Sequence, residues 1–431
     1  MTVTIFWFRN DLRLTDQPAL QQAIKSASTL LPVFCHDPAM DAETAWGFAR
    51  TGSHRPIFLR AALDDLTAQL RALGSDLIEL QGVPSQTLAS LAQTIGAPRI
   101  VCETIAAPEE EAQIAALRKQ GLSVETIWQS SMLDPADLPF AIDRLPDMFT
   151  AFRHAVEKAD VLPPLPLPAI KVMPPLPQLV GVLSNPIAVQ GTANDAADSR
   201  SSFPYWLPTF NGGEAAALAH LDRYLAKKLA HTYKETRNGL SGTDYSTKFS
   251  PWLATGALSA RTVYQRLKEF EHEFGANDSS YWIWFELLWR DHFRFVHLKY
   301  GPRLYRGRGL AEASTPAPKH HAAMFKRWIE GRTGEGIVDS GMRELAATGY
   351  LSNRLRQIVA SYLVHDLGGD WRAGAAWFES QLLDYDVCSN QGNWLYLAGR
   401  GTDPRGGRRF DPRKQTSTYD GDGKFRKMWA A

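Results

Sequence analysis

Apolar residues follow two alternating rhythms up to about residue 130 and a single rhythm after residue 212. In the first part, short apolar runs at 3–8, 30–35, 76–80, 100–103 and 124–128 alternate with helical spacing at 55–73, 85–95 and 109–120. Runs of strand length separated by amphipathic helices predict a parallel sheet covered by helices. Residues 1–132 are therefore expected to form an α/β domain: a parallel five-stranded sheet with helices on both faces. No G-x-G-x-x-G follows the first run, so the ordinary dinucleotide fingerprint is missing. From 212 to 431 the spacing is helical, at 214–228, 260–274, 280–299, 324–331, 343–347, 353–367 and 373–383, which predicts a second, all-α domain. Residues 133–211 are expected to link the two. Eight prolines between 161 and 186 remove backbone donors and favour extended chain there.

A chain of 431 residues is long enough for two such cores. Its 44% apolar and 22% charged residues fit a globular protein, and no apolar run approaches membrane-spanning length. Three separated cysteines without C-x-x-C spacing argue against disulfides and zinc. A reducing, cytoplasmic location is expected, with no targeting segment ahead of the opening T-V-T-I-F-W-F. The net charge of +1 conceals an asymmetry. Residues 1–200 carry 15 Lys and Arg against 22 Asp and Glu, whereas 201–431 carry 32 against 24. The basic half suggests an anionic partner.

Residues that carry chemistry gather in the helical half. Between Trp371 and Tyr396 lie two acids two apart, Asp384 and Asp386, an amide at Asn390, and the indoles of Trp371, Trp377 and Trp394. Such a segment can hold a polar redox ring on one side and offer aromatic electron donors on the other, which points to a flavin protein driven by light. On a helix, Trp282, Glu286, Trp289 and Phe293 share one face. A carboxylate among aromatics must be paired. Glu286 either pairs with Arg290 one turn on or hydrogen-bonds a planar ligand. Ser246, Thr247 and Ser250 precede Pro251. Their hydroxyls either cap a helix or, with Lys248, cradle a pyrophosphate. Arg356 is a natural partner for Asp384, while Arg354 and Gln357 are free to face outward. The basic, glycine-rich run 399–414 suits phosphate.

Taken together, these segments resemble the photolyase/cryptochrome family. The resemblance runs almost end to end: Phe8-Arg-Asn-Asp-Leu-Arg-Leu14, Tyr233, Ser246-Thr-Lys-Phe-Ser250-Pro-Trp-Leu-Ala-Thr-Gly256, Glu286-Leu-Leu-Trp-Arg290, Gly331-Arg-Thr-Gly334, Ser352-Asn-Arg354, Asp384-Tyr-Asp386 and Asn390-Gln-Gly-Asn-Trp394. The D-Y-D-V-C-S-N and G-x-G-T-D-P-R runs are similar to the cryptochrome-DASH type. The resemblance implies a U-shaped FAD deep in the helical domain. Tyr233, Ser246, Thr247, Lys248, Phe249 and Ser250 would hold its phosphates and neighbouring groups, and Glu286, Arg290 and Asn353 would also face it. Arg356 and Asp384 would pair near the isoalloxazine with Asp386 close by, and Asn390 would sit near N5, where an amide favours an enzyme over a signalling sensor.

The implied activity is light-driven splitting of cyclobutane pyrimidine dimers in UV-damaged DNA by an electron from excited reduced flavin. Glu286 and Asn353 would bond the dimer carbonyls. Trp289 and Tyr396 would wall it, and Arg237, Arg354 and Gln357 would face the strand or the pocket rim. Tyr396 and Gln357 stand where many duplex-acting relatives carry Trp and Met, so single-stranded or looped DNA is the expected substrate. The alternative is a blue-light photoreceptor with weak or no repair. A six-four photolyase is disfavoured, because Ser352-Asn353 stands where paired histidines are expected.

The chain departs from the family pattern at two places. Trp394 and Trp371 match the inner two of three wire tryptophans, but Pro318 stands at the outer position, so either the wire ends differently, with Trp377 as a candidate exit, or photoreduction is slow. Asp411 replaces the usual Asn before Pro412. Glu109 lies where an antenna-contacting acid is expected, for example one binding 5,10-methenyltetrahydrofolate, but its A-A-P-E-E-E surroundings equally suit an acidic helix start. A monomer is expected.

Overall fold

The computed structural model describes residues 3–178, 197–403 and 406–430. The second half of the proline-rich connector (179–196), and Pro404 and Arg405 of the basic run, lie outside the described residues.

Five strands, β1 (Val3–Phe8), β2 (Thr29–His36), β3 (Ile78–Gln81), β4 (Arg99–Glu103) and β5 (Ser123–Ile127), form one all-parallel sheet in the order β3-β2-β1-β4-β5. Side chains alternate across a strand, so β1 must satisfy two cores. Ile5 and Trp7 join Leu88, Leu91, Ile114 and Leu117 on one face, whereas Phe6 and Phe8 join Leu20, Leu63, Leu66 and Leu70 on the other. The helices responsible are α3 (Pro84–Ile95) and α4 (Pro108–Lys119) on the first face, and α1 (Pro18–Ser26) and α2 (His54–Ala72) on the second. The sequence spacing did not anticipate α1, a short helix rich in Ala and Gln. The strand order reverses between β1 and β4, which opens a crevice at their carboxyl ends.

The region expected to be linker contains a helix. Phe149, Phe152 and Val156 of α5 (Phe149–Lys158) are buried in the core of the helical body, with Met132, Leu133, Leu138 and Leu145. The proline arm then runs back along the sheet as extended chain. Leu30 N–H donates to Pro175 O at 3.1 Å, Asp16 N–H to Leu167 O at 3.0 Å and Ile170 N–H to Leu14 O at 3.2 Å, so the arm's carbonyls serve as acceptors where its prolines cannot donate.

The helical body comprises α6 (Glu214–Ala226), α7 (Tyr233–Thr236), α8 (Ser250–Thr255), α9 (Ala260–Phe274), α10 (Asp278–Tyr300), α11 (Ala322–Ile329), α12 (Gly336–Thr348), α13 (Asn353–Ser361), α14 (Trp371–Gln381), α15 (Val387–Leu397), α16 (Pro412–Tyr419) and α17 (Lys424–Met428). A π-helical turn, Tyr362–Asp366, follows α13 directly. Asp411 caps α16 by accepting from Lys414 N–H at 2.9 Å. Sequence spacing missed α15 because Ser389, Asn390 and Asn393 interrupt its apolar pattern; all three face a cavity rather than the core.

Buried carboxylates join the two parts. Asp16 accepts from Arg261 Nε at 2.9 Å and from the Ser259 hydroxyl. Glu214 takes the backbone N–H groups of Leu14 and Thr15 at 2.7 and 2.8 Å, and Asp291 those of Met132 and Leu133 at 2.9 and 2.8 Å. Gly256 is required where the parts meet. It lies at φ +70°, and a Cβ there would stand 1.9 Å from Asn10 O.

Candidate functional site: a branched cavity in the helical body

A cavity of about 480 Å³ opens between α7, the 245–250 loop, α10, the start of α13 and α15. It shares Asn353, Arg356, Gln357, Asp384, Ser389 and Asn393 with a deeper recess of about 100 Å³, which adds Phe378, Tyr385, Asp386, Asn390 and Trp394. Trp282, Glu286, Trp289 and Phe293 all line the main cavity, as do Tyr233, Arg237, Arg290 and Tyr396.

The 246–250 segment forms one wall. Its hydroxyls do not cap α8: Phe249 is the N-cap residue and no side-chain cap bond forms. Capping would have needed an oxygen turned back onto the helix, whereas Ser246, Thr247 and Ser250 line the cavity. Lys248 sits at φ +58°, a left-handed conformation uncommon for a non-glycine residue. The residue is 2% exposed and its ammonium has no hydrogen-bond partner among the described residues. Instead it lies 3.4 Å from the centre of the Tyr245 ring and 4.8 Å from that of Tyr350. Burial pulls its pKa well below the usual lysine value, against the opposing pull of buried Glu344. Glu344 is itself pushed up to about 8 by burial. A buried cation without an acceptor is costly, and an anion in the cavity would relieve it. These residues fit the pyrophosphate of FAD.

The opposite wall carries Arg356 and Asp384. One guanidinium nitrogen donates to both carboxylate oxygens, at 2.9 and 2.8 Å, while Arg356 Nε donates to Leu351 O at 2.8 Å. Burial favours losing the arginine's proton, but Asp384 outweighs it and raises the pKa above the ordinary value. Asp386 points elsewhere. Its carboxylate is bound by Arg294, at 2.5 Å for the shorter contact, and caps α15 through Ser389 N–H at 2.8 Å. Burial would raise its pKa, yet Arg294 and then Arg290 hold it well below the carboxylate range. Asn390 Nδ2 donates to Ala375 O at 3.0 Å, which anchors the amide at the recess.

At the mouth, Glu286 pairs with Arg237, not with Arg290. Arg290 turns away to the carbonyls of Ser130 and, at 3.1 Å, Leu253, acceptors supplied by chain segments remote in sequence. Arg237 also lies 4.6 Å over the Trp282 ring. Trp289 stacks on Phe149 with centroids 3.8 Å apart and planes at 12°, and meets Tyr396 nearly edge-on at 5.9 Å. Asn353 is exposed at the start of α13, and Gln357 faces both parts of the cavity. Arg354 diverges from its neighbours. It bonds Asn238 Oδ1 at 2.8 Å and lies 4.7 Å over Tyr419.

The tryptophans separate. Trp394 is buried at the recess, 6.4 Å from Trp328 and 5.1 Å from Phe378. Trp371 is buried and donates from its indole to Gly307 O at 3.0 Å. Trp377 is half-buried and meets Phe48 edge-on at 5.0 Å. Pro318 occupies irregular chain before α11. Glu109, in the acidic first turn of α4, is held by Arg50 at 2.7 Å, and Arg50 also grips Glu379 of α14 at 2.6 Å.

Sequence reasoning missed Tyr245, Tyr350, Phe149 and Trp328. Tyr245, next to Ser246, and Asn393, one turn from Asn390 on α15, left a local signal. Tyr350, Phe149 and Trp328 reach the site through contacts distant along the chain.

The signature described as DNA photolyase matches residues 4–171, and that described as FAD binding domain of DNA photolyase matches residues 282–431. The chain is similar to Cryptochrome DASH of Xenopus laevis, 44% identical over 437 residues, covering 99% of this chain and 82% of the relative. Its structure is similar to the crystal structure of the Synechocystis sp. PCC6803 cryptochrome, with TM-score 0.93 and 42% identity over 100% of this chain and 88% of that one. It is also similar to a class III photolyase from Agrobacterium tumefaciens, with TM-score 0.82 and 27% identity over 100% and 86%.

Proposed function

From a chain that belongs to the photolyase/cryptochrome family and takes FAD as its cofactor, we propose a light-driven enzyme that repairs cyclobutane pyrimidine dimers, with single-stranded or looped DNA preferred. When bound, reduced FAD supplies the light absorption and the electron. The chain's own residues bind, orient and exclude. Lys248 supplies charge to the pyrophosphate, and Ser246, Thr247 and Ser250 supply hydroxyls. Tyr233, Phe249 and Arg290 complete the walls. The Arg356–Asp384 pair and the Asn390 amide present fixed polar groups to the ring, and Asp386 holds the helix that carries Asn390.

At the mouth, Glu286 and Asn353 would bond the dimer's carbonyl and imide groups, with Glu286 exchanging Arg237 for the lesion. Trp289 and Tyr396 form the apolar wall, and Arg237, Gln357 and Arg354 address the rim and the strand. One observation carries the reading. An anion-seeking ammonium and an aromatic mouth with a carboxylate line the same cavity.

The test is repair under blue light of one dimer-containing oligonucleotide, presented alone and annealed to its complement. Faster repair of the single strand is expected. Equal rates would remove the strand preference, and no repair by flavin-loaded protein would remove the enzyme. The likeness to proteins named Cryptochrome DASH favours a second reading, a blue-light photoreceptor. Light-dependent flavin chemistry without repair would favour it. An antenna contact at Glu109 requires its Arg50 pairing to open, and a separate near-UV band in the purified protein would support it.

A further inference from the structure

The crevice where the strand order reverses, the usual ligand position of such a sheet, is filled here by the other domain. Its remnant is a cavity of about 20 Å³ lined by Asn10, Glu103, Ser130, Arg290, Arg294 and Asp386, room for about one water molecule. Glu103, the last residue of β4, is 1% exposed, and among the described residues neither of its carboxyl oxygens has a hydrogen-bond partner.

The surrounding charges are committed elsewhere. From the loop after β1, Arg9 donates to Glu103's own backbone oxygen at 3.4 Å, and Arg13 to Asp16 O and Gly256 O. Asp11 from the same loop is buried, and accepts from Arg9 N–H at 2.7 Å and from Gln129 at 2.9 Å. From α10, Arg290 serves two carbonyls and Arg294 serves Asp386. The thiols of Cys102 on β4 and Cys388 on α15 are buried, and burial raises both pKa values.

We propose that Glu103 is a proton-dependent latch between the two domains. As a neutral acid it lets the α10 arginines fill the crevice. Once ionised, it competes with Asp386 for Arg294 and loosens the N-terminus of α15, and with it the cavity wall bearing Asn390, Asn393 and Trp394. Burial first, and then neighbouring Asp11, push Glu103 up to about 8, in keeping with this geometry. A carboxyl raised in the folded state gives stability that is complete below the unfolded value of 4.5 and is lost as pH rises through about 8.

The experiment uses the full chain, wild type against Glu103→Gln, in parallel and also in a Glu344→Gln background. The second background silences the other acid held near the same value. The folding equilibrium of the wild type should weaken by about tenfold per pH unit relative to Glu103→Gln across this window. FAD retained after dialysis should fall as pH passes through about 8 in the wild type and stay level in Glu103→Gln. Infrared titration should show a protonated carboxyl band at pH 7 that Glu103→Gln removes. Parallel pH profiles would overturn the latch. So would the absence of any protonated glutamate band in the Glu344→Gln protein at pH 7, a result that stands even if Glu103→Gln fails to fold.

Discussion

Burying the Lys248 ammonium against two phenol rings, with no acceptor among the described residues, spends folding energy that an anionic ligand returns. Lys248→Met is therefore expected to weaken FAD binding by about 10- to 100-fold, the worth of a hydrogen bond to a charged group, while leaving the thermal unfolding of flavin-free protein unchanged or improved. Flavin titration and melting curves check both halves. A destabilised flavin-free protein would mean that the lysine serves the fold instead. Glu286→Gln keeps the shape of the mouth but removes its charge. Repair per bound dimer should fall by about tenfold or more with FAD affinity intact. At Trp377, the half-buried ring, Trp377→Phe should slow photoreduction of bound flavin. Unchanged transient kinetics would exclude it as the exit.

At the scale of one element, α15 decides the deep recess. Its N-terminus depends on Asp386, which both caps the helix and neutralises buried Arg294. Asp386→Ala loses the cap, about 1 kcal/mol, and strands a buried guanidinium, about 3 kcal/mol or more. Denaturant unfolding should show the loss, together with flavin release. The sign with pH follows from the depressed carboxyl. Its stabilisation is present above the unfolded value of 3.8 and disappears as pH falls, so Asp386→Asn should flatten the acid limb of stability. α10 is the complementary element. Within 23 residues it supplies the mouth (Trp282, Glu286, Trp289), the crevice (Arg290, Arg294) and a join between the domains (Asp291). Such a helix transmits strain at one contact to the others, because none can rotate alone.

For the whole molecule, the two parts are sewn together by the buried carboxylates of Asp16, Glu214 and Asp291. Asp291→Asn, which leaves one of two buried backbone N–H groups without its acceptor, should lower global stability by about 1–3 kcal/mol without touching the cavity. A single cooperative transition shifted to lower denaturant is expected; two separated transitions would show that the parts unfold independently. Among the described residues no helix is long and apolar enough to cross a membrane. The excess of Lys and Arg after residue 200 should make oligonucleotide affinity fall with salt.

Strand and helix rhythm alone determined the sheet, its parallel sense and the helical second half, because a short apolar run and a 3.6-residue repeat are local properties of the chain. The shared face of Trp282, Glu286, Trp289 and Phe293 was legible for the same reason. What only the tertiary structure decided were the pairings. Glu286 went to Arg237 rather than its helical neighbour Arg290, Asp386 to Arg294, and the hydroxyls of 246–250 to a cavity rather than a cap. Phe149 reached Trp289 from a stretch that composition marks as connector. Glu103 became an acid without a hydrogen-bond partner among the described residues because arginines from a distant helix entered the crevice and were already engaged. An ion pair is won by whichever partner closes the shorter, drier contact in three dimensions, and sequence separation carries no information about that competition.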